Sequence, residues 1–437
     1  MAAAAANGNP DAGRRSVCLW GAAALVAGSM VGSGVYVLPA TLAAIGSISI
    51  LGWLAATAAA LAIGGVFVFL AAAVPSAEGL PDYVREGLGR FFAAQTTAAY
   101  WTTCWVGAAA IALAVAGAAG YLAPQLSGTT PRLLLTLAAI WLCVAVCWAG
   151  PRAVARVEGL TLALGLLPVV GAAALGWFAF RPEVFAQSWN PRGLGIGEAI
   201  GASTLSAFWA FLGVECAAAA AGAVRAPARN VPRATLIGVL GAAALYVAAC
   251  AVLMGILPAA ELGRSSAPFA DAGLRALGVG LGAVFALCAL LRAQGCVTAW
   301  MLVTAETSRS GADAGAFPPI FRSQPGERTS AVGLLTAGVL TSLMAAGTVT
   351  PTLGEQFGVL IDIAVILSLY AYVLAAASLI RLSIRFASGR RALARLTAAA
   401  AIAGSLAIMA SAKPLELLLC AIPLAAGVVL YLVLRRR

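Results

Sequence analysis

Apolar residues follow one another along this chain in long stretches, not in the alternating pattern of strands or the single-sided stripe of a soluble helix. Most of these stretches reach or exceed the roughly 20 residues that a helix needs to cross a bilayer. Short polar connections separate them. The twelve stretches are residues 17–46, 48–74, 92–123, 131–150, 156–180, 195–222, 232–256, 277–306, 330–348, 357–382, 393–411 and 414–434. The pattern predicts an all-α integral membrane protein with twelve transmembrane helices.

Composition supports a membrane environment for the chain. Of its 437 residues, 62% are hydrophobic and only 10% are charged, against about 25% charged in an ordinary soluble domain. A mean hydropathy of +0.97 cannot be hidden in one water-soluble core, so lipid is the expected solvent and partner. Residues 1–16 are rich in Ala, Gly and Asn, and they are expected to form a disordered cytoplasmic tail.

The net charge of +11 indicates topology rather than binding to nucleic acid. Nearly all of the 27 basic residues lie in the short connections, 20 on one side of the predicted membrane and six on the other, with Arg292 inside a span. Because basic residues concentrate on the cytoplasmic side, both termini are predicted to be cytoplasmic. The expected location is the cell (inner or plasma) membrane, with multiple passes.

The sequence lacks the residues that several classes of function need. There is no His, and the nine Cys lie in apolar stretches without a CxxC pair, so we expect no metal and no cofactor. A membrane enzyme would need a catalytic cluster, and ATP-driven transport would need a Walker motif; neither is found. A channel would need a repeated filter sequence. A nutrient-sensing receptor built on a transporter fold remains an alternative interpretation.

Glycine interrupts two of the predicted spans. Span 1 contains Gly28, Gly32 and Gly34 within seven residues, and span 6 contains Gly213 beside Glu215. These spans begin two halves of five spans each, and matching breaks in two halves are typical of inverted-repeat transporters with a site near the midplane. The alternative is close helix packing through small residues.

The break in span 1 has the chemistry to hold an α-amino acid. A half-helix that begins after Gly34 would offer free N–H groups and a positive dipole end to a carboxylate. Ser29 and Ser33 are four residues apart and so share a helix face. Carbonyl groups at the end of the preceding half-helix would face an ammonium group, so one broken span can hold both ends of a zwitterion.

Three ionisable residues lie well inside predicted spans: Glu215, Arg292 and Asp362. Such residues are costly in lipid and usually functional. We expect Arg292 to pair with Asp362 or Glu215, and to act as a fixed internal cation like the bound sodium of ion-coupled transporters. Trp300, eight residues after Arg292, either packs within its span or stacks on a cationic substrate group.

Six spaced motifs reveal a resemblance between Val26 and Leu382. They are GSMVGSGVYVLPA from Gly28, YWTTCW from Tyr100, WAFLGVE from Trp209, RNVPRATLIG from Arg229, SAPFADA from Ser266 and FPPIF from Phe317. The chain resembles the amino acid–polyamine–organocation (APC) superfamily, and within it the basic amino acid/polyamine antiporters, especially the arginine/agmatine antiporters. The resemblance implies a leucine-transporter-like fold, with a ten-helix inverted-repeat core over 17–382, two further helices over 383–437, and a possible homodimer.

The resemblance also assigns roles by position. Substrate-binding residues would be Ser29, Met30, Gly32, Ser33, Gly34, Trp209 and Trp300, while Tyr100, Glu215 and Tyr372 would form a gate on the cytoplasmic side of the substrate. The chain departs from the arginine/agmatine pattern at Ala108, Ile111 and Ala364, where polar contacts to a guanidinium are missing. The expected function is exchange of arginine, ornithine or lysine for its decarboxylated amine. The alternative is a proton-coupled permease of broader or neutral specificity.

Overall fold

Helices make up most of the computed structural model, which describes residues 17–435 apart from Ser33, Glu78, 217–223, 324–328 and 348–351. The predicted tail over 1–16 lies outside these residues. The helices are α1 Leu19–Met30, α2 Gly34–Ala43, α3 Ser49–Ala73, α4 Leu80–Leu88, α5 Arg90–Leu122, α6 Thr129–Trp148, α7 Pro151–Leu175, α8 Pro182–Gln187, α9 Ile196–Phe208, α10 Pro227–Ile256, α11 Ala259–Leu262, α12 Pro268–Leu277, α13 Val279–Asp313, α14 Ala331–Gly347, α15 Leu353–Leu382, α16 Ser388–Met409 and α17 Pro414–Arg435.

Nine of the described helices are long and apolar enough to cross a membrane, and the bent pair α1–α2 makes a tenth. The nine are α3, α5, α6, α7, α10, α13, α15, α16 and α17. Helix α14 has 17 residues and α9 has 13, and they lie in the stretches predicted as spans nine and six. An all-helical, multi-pass protein is therefore confirmed over the described residues, and the number twelve stays a prediction.

Helices α5 and α15 form the centre of the molecule, where they pack against each other, and α5 also packs against α13. In each of them, 78% of the apolar stretch is buried, whereas only 6% of it is buried in α17. Helix α5 is rich in Ala and Gly between Gly107 and Ala118, and small residues let helix backbones approach closely in a membrane. The core therefore lies along α5, and α17 lies at the periphery.

Candidate substrate site at two helix breaks

The first span breaks between α1 and α2, whose axes differ by 51°. Helix α1 ends at Met30, and a tight turn in which the Gly32 N–H bonds to the Met30 carbonyl (2.7 Å) replaces regular helix. Helix α2 begins at Gly34, so the N–H groups of its first turn have no partner within the helix. Such a helix start is a ready seat for a carboxylate. Ser33, predicted to line this seat, lies outside the described residues.

A second break follows α9. Its last turn tightens into a 3₁₀ turn over Trp209–Phe211, and Gly213 then adopts φ +102°, a conformation that glycine accepts more readily than other residues. The Ser29 hydroxyl lies 2.8 Å from the Val26 carbonyl and 3.1 Å from the Gly213 carbonyl, and it can donate to either. The two breaks therefore meet at Ser29. The rest of predicted span 6 falls in 217–223, outside the described residues.

Two stacked tryptophans cover the start of α2. The Trp209 indole occupies the space that a Cβ atom on Gly34 would need. Trp300 of α13 stacks on Trp209, with ring centroids 5.4 Å apart and planes inclined by 29°, and Phe357 meets Trp209 edge-on. Gly107 of α5 gives both indoles room, because a Cβ there would approach Trp209 to 2.7 Å and Trp300 to 2.9 Å. The aromatic rings thus close the site over the α2 seat.

The three residues predicted to form a gate also come together. The Tyr372 hydroxyl donates to a Glu215 carboxylate oxygen at 2.8 Å, and the Tyr100 side chain lies close to the same carboxylate. Glu215 is two residues beyond Gly213, so the break in span 6 sets its position. The two phenol groups therefore lie beside one carboxyl group, as the predicted gate requires.

The predicted partner of Arg292 is wrong. Its guanidinium pairs with Glu158 of α7 at 2.8 Å, not with Asp362 or Glu215, and it also donates to the Val31 carbonyl at 3.1 Å. The reason is packing, because α13 lies against α7 along the face that carries Arg292. Glu158 could have been found from the sequence, since it is an acidic residue just inside the stretch predicted as span 5.

Asp362 has a different environment. It lies on α15 with 8% of its surface exposed, and one of its carboxylate oxygens accepts a hydrogen bond from the Ser206 hydroxyl at 3.0 Å. Ser206 is one turn before Trp209 on α9, so Asp362 contacts the helix that positions the covering indole. Glu416 of α17, itself 2% exposed, lies within electrostatic range of Asp362.

Three residues that contribute to the site were not predicted from the sequence: Gly107, Ser206 and Phe357. None of them lies in one of the six motifs, and each is recognised only from its contacts in the structure. The positions that depart from the arginine/agmatine pattern, Ala108 and Ala364, are fully buried, and Ile111 is 1% exposed.

Comparison with known proteins agrees with this architecture. The family profile described as "Amino acid permease" matches residues 18–428. The chain is 32% identical to the putrescine transporter PotE of Escherichia coli K12 over 352 residues, covering 80% of both proteins. PotE of Haemophilus influenzae is also 32% identical, over 351 residues that cover 80% of this chain and 81% of PotE.

A third relative carries a different amine in its name. The cadaverine/lysine antiporter of Escherichia coli K12 is 34% identical over 375 residues, covering 84% of both proteins. All three relatives are matched over most of their length. The chain is thus a membrane transporter rather than an enzyme, and it belongs to the amino acid permeases of the APC superfamily, in the family of basic amino acid/polyamine antiporters.

Proposed function

We propose that this protein exchanges a basic amino acid for its decarboxylated amine, alternating access around a site near the membrane midplane. The observation that carries the proposal is the meeting of the two helix breaks under the Trp209–Trp300 stack. The free N–H groups at the start of α2, with Ser29, Met30, Gly32 and Gly34 close by, suit the carboxylate and the α-amine of an amino acid. Ser33, predicted from the sequence, would complete this seat.

The other end of the substrate suits a primary ammonium group better than a guanidinium. Trp300 offers an aromatic face to a cation, an interaction of about 0.5–2 kcal/mol. Ala108, Ile111 and Ala364 offer no side-chain acceptors, and a buried guanidinium without acceptors is penalised. The names of the relatives contain lysine, cadaverine and putrescine. Lysine or ornithine, exchanged for cadaverine or putrescine, is therefore the proposed pair.

Glu215 is the proposed centre of the gate. In the conformation described, Tyr372 holds its carboxylate and Tyr100 lies close to it, and Glu215 lies beyond the break from the α2 seat. When the tyrosines release it, a path to the cytoplasm opens. Asp362 is a second proposed coupling residue, because its bond to Ser206 links α15 to the helix that carries Trp209.

The proposed architecture has twelve spans. A five-plus-five inverted repeat over 17–382 would surround the site, and two further helices over 383–437 would flank it. Both termini would face the cytoplasm, as the distribution of arginine indicates, in the inner membrane of the cell. A homodimer is compatible with the exposed surface of α16 and α17, where Leu396, Leu406, Leu418 and Ile422 are each more than half exposed.

Uptake into proteoliposomes tests the proposal. Vesicles are preloaded with arginine, ornithine, lysine, putrescine, cadaverine or nothing, and uptake of labelled lysine is measured for the wild type, Trp300→Leu and Trp20→Leu. Trp20 is 70% exposed, so its variant controls for loss of a tryptophan as such. Uptake that requires an internal amine or basic amino acid, and that is lost only in Trp300→Leu, is the expected result.

A different result would indicate that the protein works by symport and not by exchange. Uptake into empty vesicles that is driven by a pH gradient and prefers neutral amino acids would identify a proton-coupled permease. The buried carboxyl group of Asp362 beside Ser206 is the observation that favours this second function, because a buried acid is a natural proton carrier.

A further inference from the structure

A buried arginine contacts the first helix break from outside the substrate site. Arg292 is 2% exposed and lies eight residues before Trp300, about 12 Å along the same helix at the usual rise of 1.5 Å per residue. Its terminal nitrogens have two partners, the Glu158 carboxylate at 2.8 Å and the Val31 carbonyl at 3.1 Å. A charge at this depth is stable only with such partners.

Val31 is the residue that directly follows the last residue of α1 and caps its C-terminal end. Its N–H makes the final helical bond, to the Ala27 carbonyl at 2.8 Å. Carbonyl groups at a helix C-terminus carry partial negative charge, which a nearby cation stabilises. Helix α1 has no basic residue in its last turn. Arg292 therefore supplies from α13 the positive charge that the end of α1 lacks.

The surrounding helices leave space for the arginine. A Cβ atom on Gly165 of α7 would come within 2.5 Å of Cβ and Cγ of Arg292. One turn further along α13, Gly295 meets Thr161 of α7 in the same manner. Glu158, Thr161 and Gly165 are spaced by three and four residues, so they share one face of α7. That face is shaped to receive Arg292.

We propose that Arg292, held by Glu158, is a positioning residue that fixes the broken end of α1, and with it the substrate seat at the start of α2. This rests on the proposed function, because the seat is that of the amino acid. The resident guanidinium does the work of a bound inorganic cation at this break. Substrate binding therefore needs no added sodium or potassium.

The first test alters the charges. Lysine binding to purified protein is measured by calorimetry in choline buffer for the wild type, R292K, R292Q, E158Q and the double variant E158Q/R292Q. We expect R292Q to weaken lysine binding at least tenfold and R292K to recover most of the loss. The double variant, although electrically balanced, stays as weak as R292Q. Wild-type affinity in the double variant would overturn the proposal, because the two residues would then only neutralise each other.

The second test moves the guanidinium and keeps every charge, in case R292Q does not fold. In G165A the new methyl group meets Cβ, Cγ and Cδ of Arg292, so α13 and the guanidinium must shift relative to α7, while G159A on the same helix has no atom within 4 Å of its Cβ. We expect G165A to weaken lysine binding about tenfold and G159A to bind like the wild type. Equal binding by both variants would contradict the proposal.

These outcomes distinguish a failure of the proposed role of Arg292 from a failure of the proposed transport function. If the wild-type protein neither binds nor exchanges lysine, ornithine or their amines, the proposed function fails first. If the wild type binds lysine only when sodium or potassium is added, Arg292 does not replace an inorganic cation. That result would overturn the proposed role of Arg292 and leave the proposed transport function standing.

Discussion

Gly34 shows how one missing side chain shapes the site. It is the first residue of α2, and the Trp209 indole lies where its Cβ would be. Any larger residue would push the indole away from the helix start and from Trp300. The absence of a side chain thus allows an aromatic ring to lie against free backbone N–H groups.

Replacing Gly34 by alanine is therefore expected to impair transport. Overpacking costs about 1–3 kcal/mol, so we expect lysine exchange to fall roughly tenfold or more. The measurement is the exchange rate in proteoliposomes at equal amounts of folded protein. Gly241→Ala is the matched control, since a Cβ there meets no atom within 4 Å. Exchange by Gly34→Ala at the rate of the control would show that Trp209 does not need this contact.

The bond between Tyr372 and Glu215 can be tested in the same assay. Tyr372→Phe removes one hydrogen bond to a carboxylate, worth about 1.5–3 kcal/mol. We expect at least a tenfold change in the exchange rate with an unchanged fold. Tyr370→Phe, two residues away on α15, is the control because the structure shows no hydrogen bond from its hydroxyl among the described residues. An unaltered rate in Tyr372→Phe would exclude this bond from gating.

At the scale of elements, the break after α9 depends on backbone conformation. Gly213 at φ +102° carries the carbonyl that lies near the Ser29 hydroxyl. Alanine in this conformation costs on the order of 1–3 kcal/mol. We expect Gly213→Ala to lower the melting temperature in detergent by a few degrees, whereas Gly171→Ala, with open space around its Cβ, leaves it unchanged. An equal effect of both variants would mean that the break tolerates a side chain.

Hydropathy predicted the long helices well because the bilayer imposes a length on each of them. Helix α3, Ser49–Ala73, nearly coincides with the predicted 48–74. Helix α13 instead continues to Asp313, beyond the predicted end at 306, because a helix can extend into water where hydropathy carries no signal. The amphipathic helices α4 and α12 were not predicted for the same reason.

The site was only partly predictable. Trp209, Tyr100 and Glu215 lie in the motifs, and Trp300 and Tyr372 could be assigned by their position in the resemblance. The structure stacks Trp300 on Trp209 and joins Tyr372 to Glu215. The pairing of Arg292 was wrong because the partner of a buried charge depends on which helix faces turn toward each other. That orientation is set here by glycines on both helices, Gly165 and Gly295. A hydropathy pattern does not tell which helix faces pack against each other.

At the scale of the whole molecule, the central and the peripheral helices contribute different residues to the candidate site. The buried helices α5 and α15 carry Gly107, Tyr100, Phe357 and Tyr372, so both the proposed substrate cover and the proposed gate rest on the two most buried of the long helices described. Helix α17, largely exposed, contributes the buried Glu416, which lies within electrostatic range of Asp362. This outer helix therefore brings a buried carboxyl group close to the core.

The orientation in the membrane gives a further prediction. Cys18 is exposed and immediately precedes α1, so a cytoplasmic N-terminus places it inside the cell. A membrane-impermeant maleimide is expected to label inverted vesicles and to leave intact cells unlabelled at this position. Cys18→Ser identifies the labelled site. Labelling of Cys18 in intact cells would reverse the predicted topology.

The stack of Trp209 on Trp300 has an optical consequence. Two indole rings with centroids 5.4 Å apart have coupled transition dipoles, and such coupling gives paired bands of opposite sign in circular dichroism. A substrate chain that slides between the rings would uncouple them. The transporter therefore carries its own unlabelled spectroscopic reporter, and the amplitude of this exciton couplet should follow the fraction of molecules that hold a substrate.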